Sequence, residues 1–282
     1  MAQNYPRLSV EDFGQHLLET GDLDPIYIGL GLTCSDWDHM SRWMVAYWCL
    51  YHAGASSYIS DHTGEDFWHM LGVAAANELP APDGGRWPRG HERRHWRGAK
   101  ALESYKELST RYSRPEDFVE HLAEAAPSYG EVTKRVQAHK QFGPWIAFKI
   151  ADMLDTCGDV RIDFSSDDVM MFKDPEKAAI TLWNFQQGLP VDTVPTDKKA
   201  AVKSSVDYLL ATFADFDAPP RFARKVGIQE VETILCKWKS HYNGHYPLLN
   251  DTVEIAKGLA SWAPYSPTAQ KMALTFNAAG PA

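Results

Sequence analysis

The chain has 282 residues, 44% of them hydrophobic, with a formal net charge of −9. It is long enough to bury a substantial core in one large domain or two small ones, and too acidic to be coated with nucleic-acid-binding surface, because phosphate contacts need Lys and Arg in numbers. No run of about 18 apolar residues occurs, and Met1 to Glu11 lack a charged-then-apolar leader, so a soluble, non-exported protein is expected. Cys34, Cys49, Cys157 and Cys236 lie far apart without CxxC spacing, which predicts reduced thiols in the core.

In chain order, Ser35-Asp36-Trp37-Asp38 reads as a capping box that opens an aromatic-rich helix from about Trp37 to Ala53, stopped by Gly54. Asp38 and Arg42 lie one turn apart on it and are expected to pair. A second helix, from about Gly64 to Glu78, leads into the Pro- and Gly-rich loop Leu79 to Gly85, a hinge candidate. The segment after it starts irregular, at Pro88 and Gly90. It is expected to turn helical after about His91, which would put Arg93, Arg97 and Lys100 on one face.

Further helices are predicted from Arg114-Pro115-Glu116-Asp117, over Gly130 to about Gln141, and over Ile146 to Cys157. The last two flank the tight connection Phe142-Gly143-Pro144-Trp145. Val160, Ile162 and Phe164 alternate with Arg161 and Asp163, the pattern of a short extended piece with one buried face. Helices follow at about Glu176 to Gln187, Asp197 to Phe213, Ile228 to His241 and Asp251 to Trp262. The fold class is therefore all-α. The organisation expected is one catalytic unit over 1–282, divisible into two helical lobes of about 1–130 and 131–282 that flank a cleft.

Three constellations carry chemistry. Between Arg86 and Lys100, six of the 28 basic residues fall against the single acid Glu92, with His91 and His95 beside them. Guanidinium groups grip phosphate oxygens bidentately, and Trp87 and Trp96 are suited to stack on a base. The alternative is a solvated helix face, which would normally alternate charge signs and avoid two Trp and two Gly. In the second constellation, the helix start after Gly143 offers free backbone N–H groups to a DNA phosphate, although Pro144 removes one. In the third, Lys237, Lys239 and His241 suit a DNA backbone or a solvated helix end. Cys236, His241 and His245 lack the fourth ligand that a structural zinc ion requires.

The stretches Gly31 to Asp36, Arg42 to Trp48, Trp87 to Gly98 and Phe142 to Lys149 together resemble the alpha-glutamyl/putrescinyl thymine pyrophosphorylases, also called amino acid:DNA transferases. The similarity runs from about Tyr27 to Asp174, with echoes to about Asp251. This resemblance implies a bacteriophage enzyme, acting in the host cytoplasm, with distant kinship to helix-hairpin-helix DNA glycosylases. In those, a catalytic Asp lies some twenty residues beyond the hairpin, as Asp163 lies beyond Gly143. The chain departs from them in its Gly-Pro-Trp hairpin, and Lys149 stands one turn into the helix rather than in the hairpin.

The implied reaction starts from 5-hydroxymethyluracil in duplex DNA, pyrophosphorylated by a separate kinase; an amino acid or polyamine then displaces pyrophosphate. The leaving group needs cations, for which Arg89, Arg93, Arg94, Arg97 and Lys149 are suited. The amine needs a base, with Asp163, Glu92, His91 and His95 as candidates. An extruded base needs aromatic walls, drawn from Trp87, Trp96, Trp145 and Trp48. DNA contact falls to Arg86, Gly143, Lys237, Lys239 and His241.

The chain carries no Walker or dinucleotide fingerprint, so no nucleotide cofactor is expected; a divalent ion carried on the substrate's pyrophosphate is compatible with the chemistry. Two other functions use the same residues: a glycosylase in which Asp163 stabilises a cationic sugar, and a non-catalytic module that binds modified DNA. The run of arginines disfavours the first, because glycosidic cleavage has no pyrophosphate to hold.

Overall fold

The computed structural model describes residues 5–164, 172–221 and 223–278. Its elements are α1 (Val10–Thr20), α2 (Pro25–Thr33), α3 (Trp37–Leu50), α4 (Ala53–Ser60), α5 (Gly64–Ala76), a 3-10 turn (His91–Arg93), α6 (Ala99–Arg111), α7 (Pro115–Ala123), α8 (Tyr129–Gln137), α9 (Pro144–Thr156), α10 (Lys173–Gln186), α11 (Lys198–Thr212), α12 (Ile228–Tyr242), α13 (Asn250–Trp262) and α14 (Pro267–Ala278). Among the described residues the only β pairing is two isolated bridges, Ser128 with Asp163 and Asp217 with Lys225. The fold is all-α.

The chain divides into two compact units, residues 1–25 with 164–251 and residues 26–163 with 252–282. In the first, α10 packs on α11 and α12, and α1 lies against α12. Phe13, Leu17, Leu182, Leu209, Phe213 and Ile234 form its core. Helix α1 begins where Ser9 Oγ accepts from Asp12 N at 3.1 Å and ends at Gly21, whose φ of 73° is costly for a side chain.

In the second unit α3 packs on α4 and α7, α5 on α6, α8 on α9, and α14 on α4. Trp43, Trp48, Phe67, Phe118 and Phe148 are fully buried in it. Each buried indole N–H of α3 finds a partner: Trp43 Nε1 donates to Ser57 Oγ at 2.9 Å and Trp48 Nε1 to Met153 Sδ at 3.2 Å.

Two expectations about α3 are corrected. The helix stops at Leu50, closed by Tyr51 in the left-handed conformation, and a separate α4 starts at Ala53. Gly54 therefore lies inside α4 rather than ending α3. A Cβ there would stand 2.6 Å from Gly258 O and 2.7 Å from the Trp262 ring, so its absence admits α13. Arg42 does not pair with Asp38: its Nη1 meets Glu116 Oε1 of α7 at 2.7 Å and its Nε donates to Ser60 O at 3.2 Å. The N-cap is Asp36, accepting from His39 N at 2.9 Å.

The helix, tight connection and helix around Gly143 form as expected, and the alternation after α9 holds from Arg161 on, with Ile162 and Phe164 buried and Arg161 and Asp163 exposed, while Val160 is only half-buried. All four cysteines are free thiols. Burial pushes the Cys34 and Cys49 thiols up to about 12, so both are inert at neutral pH.

Candidate functional site

The basic segment does not become a helix after His91. It makes one 3-10 turn and stays irregular to Gly98, so Arg93, Arg97 and Lys100 share no helix face. Two glycines explain its course. A Cβ at Gly90 would stand 2.2 Å from Tyr51 O, and Gly98 holds φ at 62° before α6 begins.

The side chains then sort by direction. Trp87 and Trp96 are each only 2% exposed. Trp87 packs 5.7 Å from Trp262 and 6.1 Å from Tyr58, ring centre to ring centre. As folded, both rings are core and neither presents a face to a base. Trp48 is likewise buried.

Arg89 donates to four backbone carbonyls: Trp96 O at 2.7 Å, Trp87 O at 3.2 Å, Pro88 O at 2.8 Å and Ala74 O at 2.6 Å. Arg93 is buried, donates to Gln141 O at 2.8 Å and Cys49 O at 3.4 Å, and lies over the Phe142 ring. These two guanidiniums hold the turn to α5, α3 and the hairpin instead of facing solvent. Burial lowers both to about 10, with the Arg97 charge adding to the effect on Arg89. They remain cationic at neutral pH.

What is left outside is Arg86, His91, Glu92, Arg94, His95, Arg97 and Lys100, all exposed. Arg94 Nη1 donates to His91 O at 2.9 Å and lies 2.9 Å from His91 Nε2, which fixes one edge of this surface. The exposed set carries four cations and one carboxylate, a composition suited to polyphosphate or DNA backbone.

The hairpin adjoins the turn through Arg93. Gly143 is the exposed N-cap of α9, followed by Pro144. Trp145, half-buried, meets Tyr51 edge to face, with centroids 5.2 Å apart and planes at 66°. Tyr51 in turn packs 4.5 Å from Tyr47, and Tyr47 stacks 4.7 Å from Trp43. Sequence reading overlooked Tyr51, although Trp43, Tyr47 and Tyr51 recur at the four-residue helical spacing that would have exposed the column. Tyr51 also holds φ at 52°, a left-handed conformation that costs a side-chain-bearing residue roughly 1–2 kcal/mol.

Lys149 is buried within α9. Its Nζ lies 3.7 Å from Asp152 Oδ2, which accepts from Tyr27 OH at 2.8 Å. Its ammonium is inside the unit, unlike the exposed side chains of Arg94 and Arg97. Asp163 is exposed and its backbone is fixed, with its N–H donating to Pro127 O at 2.8 Å in the bridge to Ser128.

Lys237, Lys239 and His241 belong to the other unit and are engaged there. Lys237 Nζ meets Asp251 Oδ2 at 2.6 Å and donates to Asp22 O at 2.7 Å. Lys239 is paired with Asp174. His241 is fully buried: Nε2 accepts from Leu8 N at 3.1 Å, Nδ1 lies 2.8 Å from Tyr246 O, and the ring stacks on Phe13. With both nitrogens occupied, His241 is neither a DNA contact nor a zinc ligand as folded. No group of three or more His, Cys, Asp or Glu suited to a metal occurs among the described residues.

The family profile described as amino acid:DNA transferase matches residues 18–245. A glycinyltransferase of Pseudomonas phage PaMx11 is 49% identical over 96% of this chain and 96% of its own length. A putrescinyltransferase of Delftia phage PhiW-14 is 25% identical over 89% of this chain and 78% of its own.

Proposed function

Because the chain belongs to the amino acid:DNA transferase family, we propose that it joins glycine, through its amine, to the 5-methylene carbon of a pyrophosphorylated 5-hydroxymethyluracil in duplex DNA. The carbon–oxygen bond to pyrophosphate breaks as the carbon–nitrogen bond forms. Pyrophosphate leaves with the electron pair, and the nitrogen gives its proton to a base on the protein. The observation that carries the choice of glycine is the 49% identity, over nearly the full length of both chains, to a phage glycinyltransferase. The putrescinyltransferase relative supports an amine as the class of nucleophile.

The geometry supports a division of labour. Exposed Arg94 and Arg97 take the charge that grows on the leaving pyrophosphate, and Arg86 takes the DNA backbone. Asp163, exposed on a backbone-fixed segment of the same unit, is the base, with Glu92, His91 and His95 the remaining candidates. A separate DNA kinase supplies the activated base, and the setting is the cytoplasm of an infected bacterium. No helix among the described residues is long and apolar enough to cross a membrane.

The test is nucleoside mass spectrometry of 5-hydroxymethyluracil DNA incubated with a DNA kinase, ATP, this protein and glycine. A glycine adduct is expected, with pyrophosphate released in equal amount. A free base instead would mark a glycosylase, and unchanged DNA a binding module. The Asp163→Asn variant should abolish transfer yet keep DNA binding; full activity at neutral pH would remove Asp163 from the mechanism.

A further inference from the structure

We propose that half-buried Tyr51 and Trp145 form the wall on which an extruded pyrimidine stacks, making Tyr51 a substrate-contacting residue. The inference rests on the transferase reading above and names where its base is held.

The column Trp43, Tyr47, Tyr51, Trp145 begins in the core and ends in two half-buried residues. Trp43 is fully buried and Tyr47 nearly so, while Tyr51 and Trp145 are half-buried. Those two meet at 66°, which makes a corner rather than a closed slot: a flat ring can lie on one and set its edge against the other. Base stacking on aromatic faces is a general means of holding a nucleotide outside the duplex.

The backbone of Tyr51 supplies a second observation. Its φ of 52° is a conformation that Gly or Asn adopts readily at a helix end, yet a bulky aromatic stands there. A strained residue kept against its backbone preference points to a use for its side chain. Three hydrogen bonds tie the end of α3 just before Tyr51 to the turn, and the turn to the hairpin. Gly90 N donates to Leu50 O at 2.9 Å, Arg93 donates to Cys49 O at 3.4 Å, and Arg93 also donates to Gln141 O at 2.8 Å, just before the hairpin that carries Trp145. Exposed Arg86 precedes the glycine that touches Tyr51 by four residues, and exposed Arg94 follows it by four. A base on this corner would lie beside the groups proposed for its leaving pyrophosphate.

The methylene carbon of such a base faces the major groove, so reach alone does not force extrusion. Water exclusion and an in-line attack favour it. The experiment decides between them. A duplex carrying one 5-hydroxymethyluracil beside a 2-aminopurine reports extrusion, because the probe brightens when its neighbour leaves the stack. Wild-type protein should brighten it.

Tyr51→Asn suits the left-handed backbone and removes the ring. It should melt cooperatively, lose most of the signal and weaken binding to this duplex about tenfold. Tyr51→Phe, which keeps the ring, should lose less than threefold. Trp145→Leu, away from the strained backbone, should lose signal as Tyr51→Asn does, and it carries the test if the Asn variant fails to melt cooperatively. Undiminished signal in these ring-removing variants, or a wild type that transfers glycine without brightening the probe, would overturn the stacking wall. A wild type that transfers nothing would instead overturn the transferase reading.

Discussion

The turn at residues 86–98 and the end of α12 with its following loop, residues 237–245, look alike as sequences, since each sets tryptophan among Lys or Arg and histidine. As folded they differ. At the end of α12 the two lysines meet carboxylates from distant parts of the chain, Asp251 and Asp174, and His241 has both nitrogens occupied. In the turn, the hydrogen bonds of the two inward arginines among the described residues go to carbonyl oxygens, with Arg89 over the Trp96 ring and Arg93 over the Phe142 ring, and Arg86, Arg94 and Arg97 stay exposed. A carbonyl satisfies a guanidinium's hydrogen bonds without cancelling its charge, so Arg89 and Arg93 still add to the positive field of the outer face. The difference teaches that how much net positive charge a basic cluster keeps depends on how many acids the fold brings to it.

The sharpest way to break this comparison is Arg89→Ala, which strips a donor from four carbonyls. It should cost about 4 kcal/mol of stability by denaturant unfolding, and wild-type stability would show that Arg89 does not hold the turn. Next in size is Arg97→Ala, expected to lower glycine transfer about 100-fold, or roughly 3 kcal/mol, with an unchanged melting temperature. A loss of melting temperature in step with activity would make Arg97 structural.

On the other side of the comparison, His241→Ala should destabilise by about 2 kcal/mol while DNA affinity stays as it was. Weaker DNA binding with normal stability would restore α12 as a DNA contact.

Two smaller effects follow. Burial, with the Arg89 charge second, lowers His52 from 6.5 to about 4, while its Nδ1 caps α4 by accepting from Ala55 N at 3.2 Å. The unfolded chain then binds the extra proton between those values, so the stability from neutral His52 is present above the window and is lost as pH falls through it. Between about pH 7 and 5.5 this amounts to roughly 1 kcal/mol. Burial also lowers His39, His121, His139 and His241, so they act in the same direction. His52→Asn keeps a capping acceptor and should make the melting temperature fall less steeply with acid; an unaltered slope would contradict a neutral buried His52.

Smallest is the salt response. Arg86→Ala should reduce the slope of log Kd against log salt by about 1, roughly a threefold change in affinity between about 50 and 200 mM, whereas Lys239→Ala should leave it unaltered. Equal slopes in the two variants would erase the distinction between the regions.

From the sequence by itself came the all-α class, the tight connection at Phe142 to Trp145, the buried alternation at Ile162 and Phe164, and the family resemblance. Each is written in local spacing: helical periodicity, Gly and Pro punctuation, or a contiguous motif. The direction of each side chain in the Trp87 to Gly98 motif is not local. Helical spacing put Arg93 and Arg97 on one face, but the irregular course set by Gly90 against Tyr51 turns Arg93 inward and leaves Arg97 exposed. The tertiary structure also decided that Arg42 reaches Glu116 instead of Asp38, and that Lys237 and Lys239 meet Asp251 and Asp174. The partner of a charge is chosen by whichever acceptor the packed backbone brings within bonding distance, and that neighbour can lie anywhere in the chain.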